Sequence, residues 1–206
     1  MARHGVVTAD DVAVRFFWRE ERQQPGIWAA YKRLGALRWL GLILQDKPFA
    51  AMPAVLRVTR EGARIADVGV GPAPLVLSEI QHSLAIVRVT EALLKGHPGA
   101  ELTTERELRA QRYRARQAGE RSDGRGRTPD ALLRLPKKGA KSETIAIEVD
   151  VTRKDRRAIE RVITAYDYER VDGVWWFVAP GRVERVRDVV RAMRADRRIE
   201  VRPWPT

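Results

Sequence analysis

The spacing of apolar residues divides the first third of the chain into helix, helix, hairpin and helix. Thr8-Ala9-Asp10-Asp11 opens a helix, with a threonine cap and an acid three residues on, and Val12, Phe16 and Phe17 follow at helical spacing. Pro25-Gly26 interrupts the pattern. A second helix is predicted over residues 27–39, with Ile27, Ala30, Tyr31, Leu34 and Leu37 on its buried face. Gly41 ends it and Leu42-Ile43-Leu44 begins a strand. Asp46-Lys47-Pro48 turns the chain, Val55-Leu56-Arg57-Val58 returns it, and Thr59-Arg60-Glu61-Gly62 opens a short helix through Ala66.

Beyond a Gly- and Pro-rich stretch at Val68–Pro74 the periods change. Ser78-Glu79-Ile80-Gln81 has the form of a capping box, and a helix is predicted from there to Lys95, apolar on more than one side and therefore deeply packed. Gly96-His97-Pro98-Gly99 turns the chain into a strand at Glu101–Thr104, and a basic run from Arg106 to Arg116 has helical spacing. Residues 117–128 are Gly-rich and basic without any period, which predicts a loop. Two strands follow, around Leu132, Leu133 and Leu135 and around Ile145, Ile147 and Val149, joined by the turn Pro136-Lys137-Lys138-Gly139. The rest reads as a helix over 155–169, an aromatic strand over 174–179, a helix bearing Val183, Val186, Val189, Val190 and Met193, and a closing strand at Ile199-Glu200-Val201. Core packing is the expected role of Trp175, Trp176 and Phe177.

At 206 residues, 44% hydrophobic and 32% charged, the chain has the composition of one large or two small folded domains. Its formal net charge of +12 comes mainly from arginine, whose fork matches phosphate oxygens in pairs. Such a balance points to a polyanionic partner, most simply nucleic acid. The absence of cysteine excludes disulfides, thiolate metal sites and thiol catalysis, and three histidines make a His-rich metal site a poor fit. The amino terminus lacks the apolar core of a signal peptide and no apolar run is long enough to span a membrane, so a cytoplasmic protein with no membrane partner is expected.

The candidate chemistry lies between Pro129 and Lys154. Strand side chains alternate between faces, so Glu148 and Asp150 share one face while Ile147, Val149 and Val151 take the other. Two adjacent strands bearing Asp130 and Glu148 would bring these carboxylates to one point, where a hard divalent cation finds oxygen ligands and phosphodiester cleavage is one accessible chemistry. Lys154, at the junction between strand and helix, would reach the same carboxylates or a phosphate.

Thr104-Glu105-Arg106-Glu107, Thr128-Pro129-Asp130-Ala131, Glu148-Val149-Asp150, Thr152 and Lys154, with His82 at the head of a helix, together resemble the PD-(D/E)xK nuclease superfamily, and more closely the replication-relaxation family of plasmid and mobile-element proteins. That resemblance implies a winged helix followed by a nuclease-like domain, which is an α/β (α+β) architecture: a mixed sheet of restriction-endonuclease type flanked by helices. The helix, helix, hairpin and helix of the first third is similar to a winged helix in the same sense. The expected division is residues 1–67 as the winged helix, 68–77 as a linker and 78–206 as the nuclease-like domain.

The resemblance implies roles residue by residue. Asp130 and Glu148 would hold Mg2+ or Mn2+, with Glu105 adding a carboxylate and Glu107 competing for that place. Lys154 would stabilise charge on the phosphate or position the attacking water. One departure stands out: Asp150 occupies the position where the nuclease pattern has lysine. Duplex DNA is the expected partner, contacted by Trp28, Lys32, Arg33 and Arg38 from the second helix and by Arg125 and Arg127 from the loop before Asp130, with a homodimer as a further expectation. Trp28 and Trp39 equally suit core or dimer aromatics, and His82 suits a structural or capping histidine. Two functions follow: a metal-dependent DNA endonuclease or nickase acting in plasmid replication or transfer, or a DNA-binding accessory whose nuclease-like domain no longer cuts.

Overall fold

A computed structural model describes residues 2–119, 127–137 and 142–205. Arg125 and the turn residues Lys138 and Gly139 lie outside the described residues. The chain is mixed α/β and folds as two compact units, Met1–Glu91 and Ala92–Thr206.

In the first unit, β1 (Val7–Thr8) leads directly into α1 (Ala9–Phe16). Thr8 and Asp11 form the reciprocal cap that their spacing predicts: the backbone N–H and the hydroxyl of Thr8 each donate to Asp11 Oδ2 at 2.7 Å, and Asp11 N–H donates to Thr8 Oγ1 at 3.2 Å. Two strands too short for an alternating signal, β2 (Trp18–Arg19) and β3 (Gln24–Pro25), form a small antiparallel ribbon before α2 (Ile27–Trp39). β4 (Ile43–Asp46) and β5 (Val55–Val58) make the predicted hairpin, and β1 adds to β5 on its other side, giving the antiparallel order β1-β5-β4. α3 (Arg60–Ala66) is capped by Thr59.

The helix after the Gly- and Pro-rich stretch is α4 (Ile80–Gly96). Ser78 is not its cap. It sits inside a 3-10 turn at Leu77–Glu79, so its own backbone has already entered the helical path. Ile80 and Leu84 bury against Val6 and Val55, and Val87 joins Val7, Leu34, Ile43, Leu56, Val58 and Ala63. The stretch read as a linker is thus followed by a helix whose residues up to Glu91 pack with the first unit. Burial on several faces of α4, including Leu84, Ala85, Val87, Val89 and Thr90, matches its all-round apolar pattern.

The second unit is built on one five-stranded sheet. Its strands are β6 (Glu101–Thr104), β7 (Ala131–Leu135), β8 (Glu143–Asp150), β9 (Gly173–Val178) and β10 (Ile199–Pro203), in the order β10-β9-β8-β7-β6. β6, β7 and β8 pair antiparallel, whereas β8, β9 and β10 pair parallel. The parallel part requires crossover helices: α6 (Arg156–Ala165) connects β8 to β9, and α7 (Val183–Ala192) connects β9 to β10. Ile159, Val162, Ile163, Val183, Val186, Val189 and Val190 from these helices pack on Ala146, Val174, Trp176, Val178, Ile199 and Val201 of the sheet. Trp176 and Phe177 are buried, as core packing requires. α5 (Glu105–Gln117) follows β6 and accounts for the basic run of helical spacing.

Candidate functional site

Strand register fixes the site. Ala131 pairs with Ile147 in the antiparallel β7–β8 ladder, so the next position out sets Asp130 opposite Glu148. Ala146, Glu148 and Asp150 alternate onto the face that α6 and α7 cover, and this is why Asp130, Glu148 and Asp150 are all buried despite their charge. The expected meeting of Asp130 and Glu148 is present, at a buried sheet end rather than an open surface.

Buried carboxylates need partners, and each here has one. Asp130 Oδ2 accepts the backbone N–H of Val149 at 2.7 Å, tying the end of β7 to β8. Arg127 spans Glu148, with Nε 2.8 Å from Oε1 and Nη2 3.0 Å from Oε2. The hydroxyl of Tyr166, just beyond the C-terminus of α6, donates to Glu148 Oε1 at 2.5 Å. Asp150 Oδ1 receives Lys154 Nζ at 2.8 Å and the backbone N–H of Thr152 at 3.2 Å.

The electrostatics follow from this burial. Glu148 is held above the ordinary carboxylate range, first by desolvation and then by the charge of Asp130, with Arg127 and Tyr166 pulling the other way. Tyr166 is pushed well above a normal phenol by burial and by the neighbouring Glu148 charge. Arg127 is raised through its hydrogen bonds to Glu148, so it stays protonated.

The other expected residues are distributed as follows. Glu105 stands at the first position of α5, where its backbone N–H donates to Asp130 O at 3.0 Å, while its carboxylate pairs with Arg109 at 2.6 Å. Glu107 closes the α5 capping box: Thr104 N–H and Thr104 Oγ1 each donate to Glu107 Oε2 at 2.8 Å. Lys154 is beside Asp150, the acid that stands where the nuclease pattern has lysine. His82 belongs to the first unit, on the first turn of α4.

Two further residues build the site. Tyr166 belonged to the apolar stripe expected for its helix, but a buried tyrosine also needs a partner for its hydroxyl, and that need was the available signal. Arg112 on α5 donates to Thr128 Oγ1 at 2.6 Å and to Glu169 Oε1 at 3.1 Å, which ties together the segments beside Asp130 and Tyr166. No spacing rule along the chain points to Arg112.

Whether a divalent cation fits can be judged from the donors. Glu148 already spends both oxygens on Arg127, Asp130 Oδ2 is engaged by backbone, and the Glu105 carboxylate turns to Arg109. Among the described residues no group of three His, Cys, Asp or Glu side chains is gathered closely enough to hold a metal ion. With Arg127 on both oxygens of Glu148, these carboxylates are arranged as hydrogen-bond acceptors rather than as an open set of metal ligands.

Surface features belong to α2. Trp28 and Trp39 are 82% and 86% exposed, which removes the core option for both rings, and Tyr31, expected on the buried face, is 58% exposed. Position 31 borders the buried arc set by Ala30 and Leu34, so its bulky ring turns outward. Lys32, Arg33 and Arg38 are also exposed on this helix.

No family model, curated protein or solved structure matches the chain. Among the described residues no helix is long and apolar enough to cross a membrane.

Proposed function

We propose that this chain is a DNA-binding protein of a plasmid or mobile element, acting in replication or transfer, whose nuclease-like second unit does not cut. The observation that carries the reading is the closure of Glu148, with both oxygens held by Arg127 and one of them also by Tyr166. A carboxylate engaged in this way is a structural anion, and burial of Asp130, Glu148 and Asp150 removes them from the surface a phosphodiester would reach. Asp150 in place of the expected lysine supports the same reading, because Lys154 is spent in neutralising it.

DNA as partner is supported by the net charge of +12 and by the exposed cations of α2. The order α1, α2, β4–β5 hairpin, α3 supports a winged-helix reading of the first unit, with α2 as the helix presented to DNA.

A second reading, a metal-dependent endonuclease or nickase, keeps one observation in its favour. The β7–β8 register sets Asp130 opposite Glu148, the arrangement that two shared ligands require. Supercoiled plasmid incubated with the protein and Mg2+ or Mn2+ separates the two. The first reading expects retarded DNA with no nicked product from the wild type. Nicking that disappears in both Asp130→Ala and Glu148→Ala would overturn it and establish the second.

A further inference from the structure

α2 has a face that its own unit does not use. At about 100° per residue, Trp28, Lys32, Gly35 and Trp39 form one stripe, and the two tryptophans fall within roughly 20° of each other. The buried residues of the helix, Ala30 and Leu34, lie on the far side. All four stripe residues are exposed, and a Cβ built on Gly35 meets nothing within 4 Å. Tyr31 and Arg38 flank the stripe on one edge. There they line a cavity of about 180 Å³ together with Gly35, Gln45 and Pro53. Arg33 lies about 140° from Trp28 and so belongs to another flank.

The charge of this helix indicates what covers it. α2 carries Lys32, Arg33 and Arg38 and no acidic residue. Elsewhere in the unit Arg15, Arg57 and Arg64 pair with Glu91, Asp46 and Glu61. Among the described residues neither Lys32 nor Arg33 has an ion pair, and Arg38 donates to the neutral amide of Gln45 at 2.7 Å. A second copy of the chain laid on the stripe itself would oppose Lys32 to Lys32, although Asp10 lines the cavity at the Tyr31 and Arg38 edge. A polyanion meets no such repulsion. Two flat rings exposed beside unneutralised cations match a stacking platform with a backbone contact, which is how single-stranded nucleic acid is held without sequence readout. The rings are 11 positions apart, roughly 16 Å along the axis, on the order of five steps of a strand stacked at about 3.4 Å.

We infer that the outward face of α2 binds a single-stranded DNA segment, with bases stacked on Trp28 and Trp39 and the intervening phosphates on Lys32. This rests on the reading that the partner is DNA, and adds that the recognised DNA is unpaired where it meets this helix.

The experiment is equilibrium binding of the full chain to a labelled oligothymidylate and to a duplex of the same length, with the wild type and with Trp28→Ala, Trp39→Ala and the conservative Trp→Phe pair. Circular dichroism establishes that each variant is folded, as expected for such exposed positions. Each alanine variant is expected to weaken single-strand binding about tenfold, to weaken duplex binding by a clearly smaller factor, and to be largely rescued by phenylalanine. Single-strand affinity unchanged in both alanine variants, or an equal loss on single strand and duplex, overturns the inference. A wild type that binds duplex but no single strand also overturns it while leaving the DNA reading intact, whereas failure to bind any DNA removes both. Sedimentation showing a dimer that the alanine variants dissociate, with single-strand affinity unchanged, assigns the face to a second copy.

Discussion

Arg127 lies across both oxygens of Glu148, its Nε 2.8 Å from Oε1 and its Nη2 3.0 Å from Oε2. The side chain of Glu148 is 4% exposed and that of Arg127 38% exposed, so the acid is the member that cannot return to water when the pair is broken. Arg127→Gln should therefore destabilise the second unit. Loss of one member of a buried pair costs about 3–5 kcal/mol, and solvent screening of the half-exposed arginine reduces the expectation to about 1–3 kcal/mol. Glu148→Gln in the same background removes the stranded charge, so the double variant should be more stable than the two single losses added together. Urea denaturation of the four proteins measures this coupling, and strict additivity would show that the pair contributes nothing.

The pH dependence follows from the same contact. Burial and Asp130 hold Glu148 above its ordinary value, against the opposing pull of Arg127 and Tyr166. A carboxyl whose folded pKa exceeds its unfolded one binds the proton more tightly when folded. Its stabilising contribution is complete below the unfolded value and is lost as pH rises through the folded value. Removing Arg127 deletes a downward influence and raises the folded value further. Arg127→Gln should then lose stability relative to the wild type only above the ordinary carboxylate value of about 4, as pH rises through the wild type's own raised Glu148 value. Glu148→Gln should abolish that difference. Thermal unfolding midpoints across this range test the sign, and a stability gap between Arg127→Gln and the wild type that narrows with rising pH would contradict it.

How much of this was legible along the chain depends on the kind of signal. The meeting of Asp130 with Glu148 was readable because strand alternation and a hairpin register are local and have a period of two, and Thr8 with Asp11 was readable because a capping box spans four residues. The partner of Arg127 was not. It lies in a stretch without a period, where the sequence offers phosphate and carboxylate equally to a guanidinium, and only the fold brings Glu148 to it. Tyr166 was correctly placed on a buried stripe, yet its hydroxyl partner sits 18 positions away in another element. Trp28 and Trp39 show the opposite limit. Hydrophobicity left core burial open for both rings beside DNA contact for Trp28, and helical geometry sets both on the arc opposite Ala30 and Leu34. The ribbon of β2 and β3 has two residues per strand, too few for alternation to register.

Tyr166 is the second support of Glu148, and its hydroxyl is buried with it. Tyr166→Phe keeps the ring and deletes one hydrogen bond to a charged acceptor, a loss of about 1–3 kcal/mol. The variant should remain folded, with a lower denaturation midpoint and an unchanged slope with denaturant. Because Arg127 still covers both oxygens, its destabilisation should grow when Arg127→Gln is added. A Tyr166→Phe protein as stable as the wild type would show that the hydroxyl contributes nothing to holding Glu148.

Two glycines in helices of the first unit are expected to respond in opposite directions to the same substitution. Gly62 is buried in α3, and a Cβ there would stand 2.0 Å from the backbone carbonyl oxygen of Leu42. That oxygen is fixed, because it accepts the backbone N–H of Thr59, the cap of α3, at 3.0 Å. No side-chain rotation relieves the clash, so Gly62→Ala forces α3 away from the β4 end and should cost about 2 kcal/mol or more. Gly35 is on the open face of α2 with negative φ and no neighbour within 4 Å of the added methyl. There alanine only restricts the unfolded chain and improves helix propensity, a gain of about 0.5–1 kcal/mol. Thermal denaturation should show Gly62→Ala melting below and Gly35→Ala above the wild type. If Gly62→Ala is neutral, the close packing of α3 against Leu42 is wrong, and with it the seating of the helix that follows the hairpin.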